Sequence, residues 1–459
     1  MDQSRTKACV LHVHYHAPHQ GGQKPESSRD RKWEKTPLED LHAALNEGIG
    51  LAEAIDLDVV HSQVIQLQRV TSATYIGRGN VQQLADMIKD EDVDLVIFDG
   101  PLSPAQQRNL EKLWNCKVID RTSLILEIFG DRARTAEGRL QVELATLSYQ
   151  RTRLVRSWTH LERQRGGFGF TGGPGETQLE LDRRMINERI IRLKEQLEKM
   201  TRTRGLQRAA RQDVPFPLVA LVGYTNTGKS TLFNRLTHAK VLAKDMLFAT
   251  LDPTMRQIKL PSGRNVILSD TVGFISNLPT QLVAAFRATL EEVCSADLIL
   301  HIRDASHPNT IEQGHDVEKI LVELDLKEKL HDGSVVNVYN KIDLIAQDQL
   351  PFTFPPQSSQ KPMCFPAGSS EGRPPQLAIS AITGEGIEDL LLCIDEQLNR
   401  NNTLLELDLP STAGEALAWL YRQGAIQNRQ DKDEIIHLVV KIQPAIYDKF
   451  RKKFLGEFS

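Results

Sequence analysis

The sequence is short of the features that would place it in a membrane or in an oxidising compartment. No apolar run approaches the ~18–20 residues that a membrane-spanning helix requires, so no membrane span is expected. Cysteine is scarce: Cys9, Cys116, Cys294, Cys364 and Cys393 are odd in number, far apart and in no metal-ligand spacing. That pattern argues against a disulfide framework or a zinc ribbon and predicts free thiols in a reducing compartment. The first residues hold no apolar signal core, and Asp2, Glu26 and Asp30 are out of place in an organelle transit peptide. A cytoplasmic location is expected. No internal repeat is visible, which leaves no basis for a repeat array.

A strong overall charge is also missing. The formal net charge is only −4, but it is unevenly spread: Arg151 to Arg211 hold 15 Lys/Arg against 7 Asp/Glu. A basic stretch inside an otherwise acidic chain suggests a local polyanion contact, with a solvated helical face as the alternative.

What is present divides into five segments. Residues 1–36 are polar and read as a flexible N-terminal tail, in which His12, His14, His16 and His19 are more simply surface histidines than a metal set. Residues 37–135 alternate helix and strand patterns ("LEDLHAALNEGIGLAEAI", "VDLVIFDG", "SPAQQRNLEKLW", "CKVID") and form an N-terminal α/β domain. Residues 136–212 carry two apolar seams: Leu140, Leu144, Leu147, Leu154, Trp158 and Leu161, then Leu179, Ile186, Ile190, Leu193, Leu197 and Met200. Seams at heptad spacing, joined by a short loop, predict an antiparallel helical hairpin. Two helices lying flat on a neighbouring domain would show the same period. Residues 213–400 alternate strand and helix again, interrupted by a Pro-rich stretch at 347–375, and residues 401–459 form a small α+β appendage.

The chemistry begins at Gly223–Ser230, GYTNTGKS, which meets the G-x-x-x-x-G-K-[ST] pattern between an apolar strand and a helix. Glycines there let successive backbone N–H groups cradle phosphate oxygens at a helix N-terminus. Lys229 is placed to neutralise the β- and γ-phosphates and Ser230 to ligate Mg²⁺. "NVILSDTVG" ends an apolar strand in Asp270, for the water shell of the metal, and Gly273, for the γ-phosphate. "VVNVYNKID" closes with Asn340, Lys341 and Asp343; a carboxylate at Asp343 can accept from both N1–H and the 2-amino group of guanine, donors that adenine does not offer there. Ser380 and Ala381, in "ISAITGEG", place an N–H for guanine O6. The order P-loop, DxxG, NKxD, SA predicts a Ras-like P-loop G domain: a mostly parallel sheet with helices on both faces, binding GTP.

Between the P-loop and Asp270 lies "LFATLDPT". A threonine must close over Mg²⁺ and the γ-phosphate, with Thr250 the first candidate and Thr254 the second. The residues expected around the nucleotide are thus Gly223, Tyr224, Thr225, Asn226, Thr227, Gly228, Lys229, Ser230, Thr231, Phe248, Ala249, Thr250, Asp270, Gly273, Asn340, Lys341, Asp343, Ser380 and Ala381. Lys229, Thr250, Asp270 and Gly273 carry hydrolysis; Ser230 and Thr250 hold Mg²⁺. Phe274 stands where Ras-like proteins commonly have the glutamine that orients the attacking water, so unaided hydrolysis is expected to be slow. Asn226 either resembles the asparagine that ligates K⁺ in other G domains or simply braces the loop.

Taken together, "GRLQVELATLSYQRTRL", "GGPGETQLELDRR", "GYTNTGKSTLFN", "FATLDPT" and "SDTVGFI" resemble the HflX family of ribosome-associated GTPases over about residues 37–400. The resemblance implies a protein that contacts the large ribosomal subunit through its N-terminal domain and hairpin, and in its GTP form dissociates stalled or idle ribosomes. The loop "GGFGFTGGPGE" departs from the commoner GGxGxRGPGE form, being one residue longer with Thr171–Gly172 in place of the arginine. The hairpin tip gives a testable expectation: Phe168 and Phe170 stack on unpaired bases while Arg163 and Arg165 meet phosphate. No DNA partner is expected, and the chain is read as a monomer. Two other readings stay open: a G-domain switch or scaffold acting on a non-ribosomal partner, and a GTPase linked to RNA modification.

Overall fold

The computed structural model describes residues 5–15, 38–164, 174–211, 216–239, 247–248, 254–276, 290, 292–345, 375–400, 402–422, 426–432, 434–442 and 444–454. Two compact units make up the chain, one built on residues up to Met200 and one on Thr201 to Ser459. The short stretch holding Leu247 and Phe248 belongs with the first.

The first unit opens with a strand where the sequence suggested a loose tail. β1 (Lys7–Tyr15) pairs in parallel with β2 (Asp58–Leu67) on one side and β3 (Leu95–Asp99) on the other, and β4 (Lys117–Asp120) completes the order β2-β1-β3-β4. Ala8, Cys9, Val10 and Leu11 are fully buried. The polar reading of residues 1–36 therefore fails for 7–15: a four-residue apolar run was enough for an interior parallel strand, and the alternating histidines masked it. His12 Nδ1 lies 2.7 Å from Asp99.

Helices α2 (Arg78–Asp90) and α3 (Pro104–Trp114) cover one face of this sheet, through Val81, Leu84, Ile88, Leu110 and Trp114. Ser103 caps α3 with a reciprocal capping box to Gln106, and Pro104 fits the first turn, whose amide has no helical partner to lose. On the other face, α1 (Leu38–Glu53) approaches closely enough that a side chain at Gly48 would meet Val10 and Asp99. At the C-terminal ends of the strands, where α/β sheets usually bind ligands, the charged groups answer one another. Arg121, the first residue of α4 (Arg121–Arg132), is bonded to Asp99 at 2.5 Å and to Glu47. Burial works against the Asp99 carboxylate, yet the His12 hydrogen bond and the Arg121 charge hold its pKa below the usual value.

Two long helices follow, α5 (Ala136–Gln164) and α6 (Pro174–Arg211). Leu144 meets Ile190 and Leu193, with Leu140, Leu147, Ile186 and Leu197 around them; Arg189 pairs with Glu143 at 2.7 Å. Contacts whose numbers rise on one helix as they fall on the other define an antiparallel hairpin. Its base is also seated on the α/β domain: Tyr149 and Arg153 both donate to Asp120, and Arg153 donates to Gln107. Asp120, 2% exposed, additionally caps α4 through Ser123. Asp120→Ala removes the acceptor from three partners at once and should cost about 3–5 kcal/mol of stability, as breaking a buried pair does. Chemical denaturation of the full chain checks this.

In the second unit six strands take the order β10-β9-β8-β5-β7-β6. β5 (Leu218–Gly223), β7 (Asn265–Asp270), β8 (Leu298–Asp304), β9 (Val335–Asn340) and β10 (Gln376–Ala378) are parallel, and β6 (Thr254–Lys259) is the one antiparallel edge. One face packs on α7 (Lys229–Thr237) and, further along, on a helix over 387–399. Between these lie α8 (Thr310–Glu323) and α9 (Lys327–His331), which makes the 387–399 helix α10. Gly314 of α8 leaves room for the Arg303 guanidinium; a Cβ there would fall 1.4 Å from its Nη2. The chain ends in an antiparallel sheet β11-β13-β12 (Thr403–Pro410, Ile435–Ile442, Ile426–Lys432) backed by α11 (Gly414–Arg422) and α12 (Pro444–Phe454), whose core centres on Trp419, Phe450 and Phe454.

Among the described cysteines Cys9, Cys116 and Cys294 are free, but Cys393 is disulfide-bonded. The expectation of free thiols throughout is corrected at that position, because spacing along a chain says nothing about which sulfurs meet in space.

Candidate functional site

Three loops converge at the C-terminal ends of β5, β7 and β9. The loop after β5 turns into α7 through Asn226 (φ 58°) and Gly228 (φ 88°), both left-handed. Gly228 is obligatory twice over, because a Cβ would also stand 2.2 Å from Asn340 Nδ2. Gly223 lies so close to β8 that a Cβ would be 2.2 Å from the Ile302 carbonyl oxygen. Lys229 is 6% exposed, and its Nζ donates to the carbonyls of Tyr224 (2.6 Å) and Gly223 (3.2 Å). Burial pulls its ammonium down to about 8, with Asp270 opposing and Lys341 adding to the fall. A buried cation supported mainly by carbonyls is a site made for an anion, and phosphate oxygens would restore its charge.

Ser230 Oγ donates to Asp270 Oδ2 at 2.7 Å, and Asp270 is fully buried. A hydroxyl and a carboxylate at this separation suit a small hard cation that keeps several waters and takes its other oxygens from phosphate, which is how Mg²⁺ is usually held. Thr231 follows, partly buried. Thr227 is buried, its Oγ1 bonded to the Tyr224 carbonyl at 3.1 Å. Thr225 is buried too, and its Oγ1 has no hydrogen-bond partner among the described residues. Asn226 is exposed and, among the described residues, its side chain makes no hydrogen bond that would brace the loop.

After Asp270 the chain runs against the phosphate loop. Phe274 N–H donates to the Gly223 carbonyl (3.0 Å) and its carbonyl accepts from Thr225 N–H (2.7 Å), while Ser276 N–H donates to the Tyr224 hydroxyl (2.7 Å). Phe274, 4% exposed, is thus a backbone strut and offers nothing to a water. Gly273 sits just before it, where a Cβ would be 2.9 Å from Thr225 Cα and 3.0 Å from Lys229 Nζ.

At the base end, Asn340 donates from Nδ2 to the Thr227 carbonyl (2.8 Å) and accepts at Oδ1 from Ala381 N–H (2.9 Å). The Ala381 amide expected for guanine O6 is therefore already engaged. Lys341 (φ 68°) swings its ammonium to Asp304 at 2.7 Å. Asp343, in the 3-10 turn Ile342–Leu344, is exposed, and both its oxygens are without a hydrogen-bond partner among the described residues. Ser380 is fully buried and accepts from Thr383 N–H at 3.0 Å.

Ala249 and Thr250 lie outside the described residues, as do Arg165, Phe168 and Phe170 of the hairpin tip; of Arg163 only the helical backbone is described. Thr254 is in β6, paired with Asp270. Phe248, expected against the nucleotide, is 3% exposed with its ring edge-on to Phe129 of α4 at 4.7 Å. Sequence reasoning missed Arg235, which reaches the carbonyls of the 381–383 turn. Its signal was faint: one arginine at the end of a helix.

Comparison with known proteins agrees with this geometry. Family models match along the chain: GTP-binding GTPase N-terminal over 42–130, GTP-binding GTPase Middle Region over 132–211, 50S ribosome-binding GTPase over 218–341 and HflX C-terminal domain over 368–457. GTPase HflX of Magnetococcus marinus is 48% identical over 89% of this chain and 90% of its own length. GTPase HflX of Escherichia coli K12 is 44% identical over 80% and 82%. Among solved structures, a GTP-binding protein from Sulfolobus solfataricus in complex with GDP is similar at 23% identity, covering 86% of this chain and 99% of its own, with a TM-score of 0.42. With its N-terminal, middle, nucleotide and C-terminal regions all matched in order, the chain belongs to the HflX family of GTP-binding GTPases.

Proposed function

We propose that this GTPase works on the large ribosomal subunit and, in its GTP form, separates stalled or idle ribosomes. The observation that carries the reading is the basic hairpin of α5 and α6, fixed to the α/β domain by Tyr149 and Arg153 on Asp120. A lever seated on a folded domain can deliver its tip to a distant site, and from Arg153 to the end of α5 the arm extends about 17 Å at 1.5 Å per residue. The matched description of the nucleotide domain as a 50S ribosome-binding GTPase points the same way. The cytoplasm is the fitting location; among the described residues no helix is long and apolar enough to cross a membrane.

In this reading Lys229 and the phosphate-loop amides hold the phosphates. Ser230 would ligate Mg²⁺ and Asp270 would hold its water shell; when bound, the metal would supply neutralisation of phosphate charge. Thr254 is locked in the β6–β7 ladder, which favours Thr250 as the threonine that would close over the metal. Asn226, exposed beside the phosphate loop, would be the residue to ligate K⁺ as a second cation. Because Phe274 cannot orient water, the ribosome is the source of the missing group.

The test is GTP turnover by the full chain, alone and with purified large subunits. Strong stimulation is expected, and turnover unchanged by intact subunits overturns the reading. Deleting residues 166–175 should abolish subunit binding and leave GDP affinity as it was; undiminished binding by that variant removes the hairpin tip from the interface. Binding should also weaken steeply with salt, as phosphate contacts do, which separates RNA from a protein partner.

A further inference from the structure

Arg235 lies in the last turn of α7, the helix that starts at the phosphate loop, yet its guanidinium acts at the other end of the nucleotide cradle. Nη1 donates to the carbonyls of Ala381 (3.1 Å) and Ile382 (2.7 Å), and Nη2 to that of Thr383 (2.7 Å). Three consecutive peptide oxygens are turned onto one cation, and no carboxylate competes for it among the described ion pairs. Gly384 (φ 98°) completes the arrangement: a Cβ at this position would fall 2.2 Å from Nη2, so the loop leaves the guanidinium its room.

The amides of the same loop can be accounted for one by one. Ser380 N–H goes to the Glu385 carbonyl (3.0 Å), Gly384 N–H to the Ser380 carbonyl (2.9 Å), and Thr383 N–H to Ser380 Oγ (3.0 Å). Glu385 N–H reaches Thr383 Oγ1 (3.4 Å) and Ala381 N–H reaches Asn340 Oδ1 (2.9 Å). From Ser380 to Glu385, Ile382 N–H is the one amide without an acceptor among the described residues, and the Ile382 side chain is 69% exposed. That amide shares its peptide with the Ala381 carbonyl. In a trans peptide C=O and N–H point in opposite directions, so binding the carbonyl to Arg235 turns the Ile382 N–H away from the helix.

We infer that Arg235 is a positioning residue for base recognition, fixing the Ile382 N–H as the donor to the six-position oxygen of guanine. The inference rests on placing guanine between Asp343 and this loop. Arginine suits the task because its planar fork spans adjacent carbonyls; a lysine ammonium would hold fewer of them at once. Its charge also polarises the peptide it binds and so strengthens the opposite N–H.

The test uses diphosphates, which are not hydrolysed, on the full chain. GDP is compared with 6-thio-GDP, altered only at the six-position, and with IDP, which lacks only the 2-amino group read by Asp343. The parent chain should prefer GDP to both. Arg235→Ala should weaken GDP about 10- to 100-fold, the range for one or two hydrogen bonds, and bring the GDP/6-thio-GDP ratio close to one while keeping the GDP/IDP ratio. Arg235→Lys should fall between. Gly384→Ala, which presses on the same guanidinium from the loop side and strains the left-handed turn, should repeat the pattern, and thermal denaturation of every variant guards against a fold defect. An unchanged GDP/6-thio-GDP ratio in Arg235→Ala, or equal loss of both ratios, overturns the role of Arg235. A parent chain that distinguishes GDP from neither analogue overturns the placement of guanine itself.

Discussion

A chain carrying Gly273→Ala is expected to bind GDP nearly as the parent does and to hydrolyse GTP about 10²–10³-fold more slowly, the range for loss of one preorganised transition-state donor. The added methyl has nowhere to go. It would sit 2.9 Å from Thr225 Cα and 3.0 Å from Lys229 Nζ, and the first of these is backbone, which cannot step aside as a flexible side chain can. The phosphate loop is in turn locked to Phe274 by two backbone hydrogen bonds, so the collision cannot be relieved locally. What must shift is the Gly273 amide, which we propose as the donor to the γ-phosphate, an interaction with no counterpart in the GDP state. Phosphate release under single-turnover conditions, alongside GDP affinity, checks the split. Turnover close to the parent's would mean that Gly273 does not approach the γ-phosphate.

The second large effect is expected at Asp343. Asp343→Asn should lower guanine-nucleotide affinity about 10²–10³-fold, since two charge-assisted hydrogen bonds of about 1.5–3 kcal/mol each are weakened or reversed. Xanthine carries an oxygen where guanine has its 2-amino group, so the new amide can donate to it, and xanthine nucleotides should gain what guanine nucleotides lose. The fold should not suffer, because Asp343 is exposed and its carboxylate has no hydrogen-bond partner among the described residues. Competition of GDP against XDP on parent and variant measures the exchange. A variant still preferring GDP as strongly as the parent would remove Asp343 from base selection.

Both effects concern residues that the sequence alone proposes for the site, for a physical reason. Gly273, Asp343, Lys229 and Ser230 lie in short stretches whose chemistry depends on neighbours along the chain: a strand ending, a tight turn, a helix beginning. The hairpin was legible because the heptad repeat is local, although its seat on Asp120 was not, as Tyr149 and Arg153 find that carboxylate across some thirty positions. β1 was missed because burial on both faces of a parallel strand needs only a brief apolar run, and Lys7–Tyr15 mixes it with histidines. Phe248 was assigned to the nucleotide by its motif, while its ring is held by Phe129, more than a hundred residues away in sequence. Arg235 was invisible for the same reason, since its partners at 381–383 come from the far edge of the sheet.

Asn340 has a kinetic consequence. One end of its amide holds Thr227 of the phosphate loop and the other holds Ala381 of the base loop. To such a cradle a guanine nucleotide is a bivalent ligand, and the side chain is a rigid spacer that keeps the two grips at a set distance. When one grip opens, the other keeps the freed end at high effective concentration, so it is recaptured before the nucleotide can leave. Avidity of this kind slows departure far more than it speeds arrival, and it is lost when the spacer is cut, even if each grip survives by itself.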